Sequence, residues 1–176
     1  MRKIVTALVA LGMAAGLVSP AMAATEPDRT EIHQRVIGVG GAVSQLPNEY
    51  NGDYLRFAFN ARLDVVFPDD VDYGGTFHAW HHLKDGSIGA EFRGEITCLL
   101  ATADYATLSG EITEVVVGDQ VAVGRQADFS IVGNTRKPRV GFGGEAWGGS
   151  VGDPCSAPAP YFPITDGGYL VHADGM

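Results

Sequence analysis

The stretch Thr76-Phe-His-Ala-Trp-His-His-Leu83, Lys84-Asp-Gly-Ser87, Ile88-Gly-Ala-Glu-Phe-Arg-Gly-Glu-Ile-Thr-Cys-Leu-Leu100 decides the fold class. Asp-Gly between two apolar-alternating runs is the signature of a tight hairpin turn. A turn centred on Asp85-Gly86 sets Leu83 against Ile88, His81 against Ala90, Ala79 against Phe92 and Phe77 against Gly94. These apolar positions of both runs then share one face, while Trp80, His78 and Thr76 oppose Glu91, Arg93 and Glu95 on the other. A one-residue slip would scatter this agreement across both faces, so the pattern predicts strands and their register together. An aromatic ring also covers a glycine well, which suits Phe77 facing Gly94.

The same logic extends outward. Tyr54 to Leu63 alternates with period two, placing Leu55, Phe57, Phe59, Ala61 and Leu63 on one face. Ala106, Leu108, Gly110 and Ile112 alternate likewise, and a three-residue loop Thr102-Ala103-Asp104 gives the parity that turns Cys98 inward. One or two more strands fall within Val121 to Ile131, and Tyr169 to His172 reads as a closing strand. Gly141 to Asp153 is glycine-rich and reads as a long irregular loop. Gly and Pro punctuate the chain at roughly ten-residue intervals, with no sustained helical periodicity, repeat or linker. The expectation is a single all-β domain over residues 35–176, a small antiparallel β-barrel or β-sandwich.

At the N-terminus, Arg2 and Lys3 precede an uncharged apolar run from Ile4 to Val18, then Pro20 and Ala21-Met22-Ala23. This is the pattern of a signal peptide cleaved after Ala23, with residues 24–34 as a flexible polar arm. The protein is therefore expected to be secreted, with no transmembrane segment in the mature chain. Outside the cytoplasm its two cysteines, Cys98 and Cys155, are expected to pair. The formal charge is −9 for the 176-residue chain, and about −11 after cleavage, which argues against nucleic acid as a partner.

The order of short motifs resembles a pattern common among small, uncharacterised secreted proteins of actinobacteria. It runs Phe57-Ala58-Phe59-Asn60-Ala61, Gly75-Thr76-Phe77, Asp85-Gly86, Gly94-Glu95-Ile96-Thr97-Cys98-Leu99, then Ala106 to Gly110. Cys155 and Gly168-Tyr169-Leu170-Val171 complete it. Ala103-Asp104 stands where that pattern carries Gly-Asn. The resemblance implies a β-barrel or sandwich and no mechanism.

Candidate chemistry is sparse. His78, His81 and His82 would hold zinc on one helical face. On a strand, His78 and His82 stand about 13 Å apart and His81 points the other way, so no metal or other cofactor is expected. His78 and His82 are then surface residues, but His81 falls on the apolar face. There it is either a core histidine bonded to backbone or the lining of a cavity. Gly148-Gly149-Ser150-Val151-Gly152 matches the serine-hydrolase motif, with Asp166 and His172 following in order, but lacks its strand–turn–helix context. Phe142 and Trp147 in the glycine-rich segment are candidate contact residues, or rings that pack that segment down.

The leading expectation is a non-enzymatic extracellular module that binds a small molecule or a protein, with His81, Phe142 and Trp147 as its contacts. One alternative is an enzyme using His81 for acid–base work on a small hydrophobic molecule in a barrel lumen. Another is a structural or inhibitory protein of the cell envelope.

Overall fold

A computed structural model of the chain describes residues 31–67, 70–150 and 152–174. The expected signal peptide and most of the expected arm lie outside these residues. Eight strands form a closed antiparallel barrel: β1 (Glu31–Val43), β2 (Tyr54–Val66), β3 (Asp70–His82), β4 (Ile88–Ala101), β5 (Tyr105–Val117), β6 (Gln126–Val132), β7 (Arg139–Gly143) and β8 (Phe162–Ala173). Each strand pairs with its neighbour in sequence, and β8 returns to β1. Closure removes the exposed edges that an open sheet would carry. β1 begins at Glu31, so residues 31–34 of the expected arm are strand.

The lumen is filled at its centre by phenylalanines that the period-two pattern turns inward. Phe129 lies 5.0 Å from Phe59, 5.2 Å from Phe77 and 5.5 Å from Phe57, ring centroid to ring centroid. Gly94 and Gly110 leave the space the Phe77 ring occupies; a Cβ on either would collide with it.

The β3–β4 register holds from Thr76↔Glu95 to His81↔Ala90 and then shifts. His82 pairs with Ile88, and the Leu83 N–H donates to the Ser87 carbonyl at 2.8 Å. Leu83 therefore does not oppose Ile88. The turn is a three-residue loop, Lys84-Asp85-Gly86, with Gly86 at φ 85° and a bulge just beyond, a common alternative to the two-residue turn.

Cys98 also departs from its expected inward position. Thr102 N–H donates to the Tyr105 carbonyl at 2.7 Å, so the β4–β5 loop is the two residues Ala103-Asp104. Parity is restored by a bulge between Ile96 and Cys98. Cys98 consequently shares the outer face with Ser109 rather than facing the lumen. It is nonetheless buried, because the β7–β8 connection crosses that face, joined by the Cys98–Cys155 disulfide.

The β7–β8 ladder is short, with the pairs Arg139↔Pro163 and Val140↔Phe162 among the described residues. Asn134, in the β6–β7 turn at φ 52°, reinforces it. Its amide donates to the carbonyls of Ala103 (2.9 Å) and Val171, and its Oδ1 accepts from the Val171 N–H at 3.1 Å.

Candidate functional site

Four connections gather at one end of the barrel: residues 44–53, 83–87, 118–125 and 144–161. Between them opens a cavity of about 620 Å³. Leu46, Leu55, Leu83, Ala90, Val121, Phe142, Ala146 and Trp147 make its wall largely apolar. Ser44, Asn48, Tyr50, His81, Asp119, Gln120 and Arg125 add polar groups, most of them on the loops. Such a lining, apolar with a few convergent polar groups, is typical of small-molecule sites.

His81, Phe142 and Trp147, flagged separately in the sequence, all line this one cavity. His81 gets there by alternation: it shares the inward face of β3 with Phe77 and Ala79, one step from the strand end. Its cross-strand neighbour on β2 is Leu55, and two residues earlier on the same face stands Asp53. His81 Nε2 lies 2.7 Å from Asp53 Oδ2, and the Asp53 carboxylate is only 4% exposed. A carboxylate only accepts, so the neutral ring carries its proton on Nε2 and leaves the Nδ1 lone pair free. Nδ1 makes no hydrogen bond with the described residues and is not sealed from solvent. The Tyr50 and His81 rings meet in a T-shaped contact, 5.5 Å between centroids.

Asp53 is held by its own loop. Its N–H donates to the Tyr50 carbonyl at 3.1 Å and its carbonyl accepts from the Ser44 N–H at 2.8 Å. The Asn51-Gly52 turn before β2 was the available clue. Once Leu55 is known to face inward, Asp53 must face the same way.

Phe142 and Trp147 are half-buried and form the floor. Phe142 belongs to the end of β7 rather than to a loop, and residues 145–147 form a single 3₁₀ turn, so the expected irregular segment is partly ordered. The Trp147 ring packs 4.6 Å from Phe142, 5.4 Å from Phe92 and 6.0 Å from Phe57. The two sequence readings of these rings therefore merge: they pack down on the core, and their remaining surface lines the cavity. Trp147 Nε1 is shielded from solvent and has no hydrogen-bond partner among the described residues.

The 3₁₀ turn is anchored on both sides. The Gln126 N–H donates to Glu145 Oε2 at 3.3 Å. Further along, the Cys155 N–H donates to Ser109 Oγ at 2.8 Å, and that hydroxyl donates to the buried Asp128 at 2.7 Å. The disulfide thus fastens the connection that delivers Trp147 to the cavity floor.

The other histidines stay outside the cavity. His78, on the outer face, bonds Glu91 at 2.9 Å and stacks on Trp80 at 3.5 Å; burial pushes its imidazole below the ordinary range. It is half-buried beneath that stack, not the fully solvated residue expected. His82 is half-buried beside Tyr54. Among the described residues there is no group of three or more side chains suited to a metal. Gly148, Gly149 and Ser150 are exposed and follow the 3₁₀ turn, while Asp166 bonds Tyr54 and His172 bonds Asp174, so no hydrolase triad assembles.

No protein-family profile, curated protein or solved structure matches the chain.

Proposed function

We propose that this protein is a secreted, non-enzymatic module that binds a small, largely apolar molecule in the cavity at the barrel mouth. The observation that carries the reading is the convergence of His81, Phe142 and Trp147, with Asp53 behind His81, on a single cavity of about 620 Å³. Secretion is supported by the signal-peptide pattern of residues 1–23 and by a disulfide, which persists in oxidising compartments. No helix among the described residues is long and apolar enough to cross a membrane.

The test is thermal unfolding against a panel of neutral aromatic and alicyclic compounds. Val121→Trp, on the β5–β6 loop at the cavity wall, serves as the blocked control. A compound at about a hundred times its dissociation constant stabilises by about 2.7 kcal/mol, a shift of several degrees. The shift is expected to vanish in Val121→Trp. No shift with any compound, or equal shifts in the blocked variant, contradicts the reading.

The Asp53–His81 pair favours a second reading, proton transfer at Nδ1 on a bound substrate. A buried carboxylate fixing the ring of a histidine that faces a cavity is the arrangement of a general base. Turnover lost in His81→Phe while binding persists would select it over simple binding.

A further inference from the structure

We infer that the cavity selects ligands bearing a hydrogen-bond donor, an N–H or O–H on an aromatic or apolar body, which docks on His81 Nδ1. This rests on the binding reading above and adds the polarity of the ligand's recognised group. The tautomer of His81 sets the polarity. Asp53 Oδ2 accepts the Nε2 proton at 2.7 Å, and the carboxylate is buried with the His81 ring as its one side-chain partner among the described residues. The neutral ring is therefore held with Nδ1 as an acceptor.

No protein group uses that acceptor among the described residues. Tyr50 meets the His81 ring in a T-shaped contact, and in the 44–53 loop the Ser44 N–H is engaged by the Asp53 carbonyl and the Asp53 N–H by the Tyr50 carbonyl. A ligand with a donor completes the hydrogen-bonding of His81. A ligand of the same shape carrying only an acceptor sets one lone pair against another and leaves both unsatisfied. The lining reinforces the choice, because Leu55, Ala90, Phe142 and Trp147 supply apolar surface for a ring system beside His81, while most of the other polar lining groups stand on the loops.

The experiment compares three neutral bicyclic probes by calorimetry at pH 8: indole, which only donates, quinoline, which only accepts, and 1-methylindole, which does neither. Indole is expected to bind about tenfold more tightly than quinoline, the scale of one hydrogen bond against an unsatisfied pair. Asp53→Asn should bring that ratio close to one, because an amide at 53 accepts from or donates to Nε2 and no longer fixes the tautomer. His81→Phe should equalise all three probes. A check that needs no variant is the ¹⁵N spectrum of His81, expected to show a protonated Nε2 and an unprotonated Nδ1.

The failures separate. If none of the three probes binds and the compound panel is also silent, the binding reading itself fails. If the probes bind with equal affinity in the wild type, or if the spectrum shows Nδ1–H, the cavity binds but the donor selectivity is refuted.

Discussion

Removing the disulfide is the perturbation whose size follows most directly from the structure. Cys98 and Cys155 are 57 residues apart in sequence and both are buried. Chain entropy assigns a cross-link closing a loop of that length about 4 kcal/mol of stability, exerted on the unfolded state. The double variant Cys98→Ala/Cys155→Ala avoids placing new hydroxyls in the buried site. Its native state keeps the Ser109–Asp128 anchor on the Cys155 N–H and the Glu145 carboxylate on the Gln126 N–H. The expected result is a loss approaching 4 kcal/mol, a midpoint lowered by roughly 8–16 °C, and a larger denaturant slope because the unlinked chain exposes more surface. The assay is chemical denaturation followed by circular dichroism, with native-state tryptophan emission recorded separately. A loss below about 1 kcal/mol would refute the entropic reasoning. A large shift of the native emission would show that the bridge, not the hydrogen-bonded anchors, positions Trp147.

Other outcomes follow from single contacts. Phe129→Ala empties the meeting point of three rings and should cost about 3–5 kcal/mol by denaturation. Asn134→Gly keeps the positive φ but deletes the side-chain bonds across the weak β7–β8 seam; a loss of about 2 kcal/mol is expected, and Asn134→Ala should lose more. Burial depresses the His78 imidazole, so its contribution is present above the unfolded value of 6.5 and lost as pH falls through the lower folded value. His33, raised by Asp64, acts oppositely: its contribution is present below 6.5 and lost as pH rises through the higher folded value. His78→Gln should therefore flatten the acid-side loss of stability between about pH 7 and 5, and His33→Gln should steepen it, both read from denaturation midpoints.

Much of this architecture was legible because inward positions repeat with period two. The run Leu55 to Leu63 and the hairpin around Asp85-Gly86 carried the strands, the core face and the inward placement of His81. What escaped were the register shifts, among them the bulges at Gly89 and Thr97, each adding one residue to one strand. A bulge reverses facing without altering composition, so Cys98 was assigned to the lumen when it belongs beneath the β7–β8 connection. The choice between barrel and sandwich was not legible, since β8 meeting β1 is a pairing between distant parts of the chain. For the site, His81 stood out as a polar residue on an apolar face. Asp53 did not, because its partnership depends on the β2–β3 register, which places Leu55 opposite His81.

The most direct measurement uses Trp147 as its own reporter. The chain has two tryptophans, and Trp80 lies outside the cavity, stacked on His78. In Trp80→Phe, emission comes from the cavity floor alone. Titration with the compounds that raise the unfolding midpoint should change that emission saturably, with the same affinity as calorimetry, and should leave it unchanged when Val121→Trp is replaced by a non-fluorescent Val121→Phe block. Stabilising compounds that bind without altering Trp147 emission, or that alter it equally in the blocked variant, would contradict the claim that the barrel mouth is the binding site.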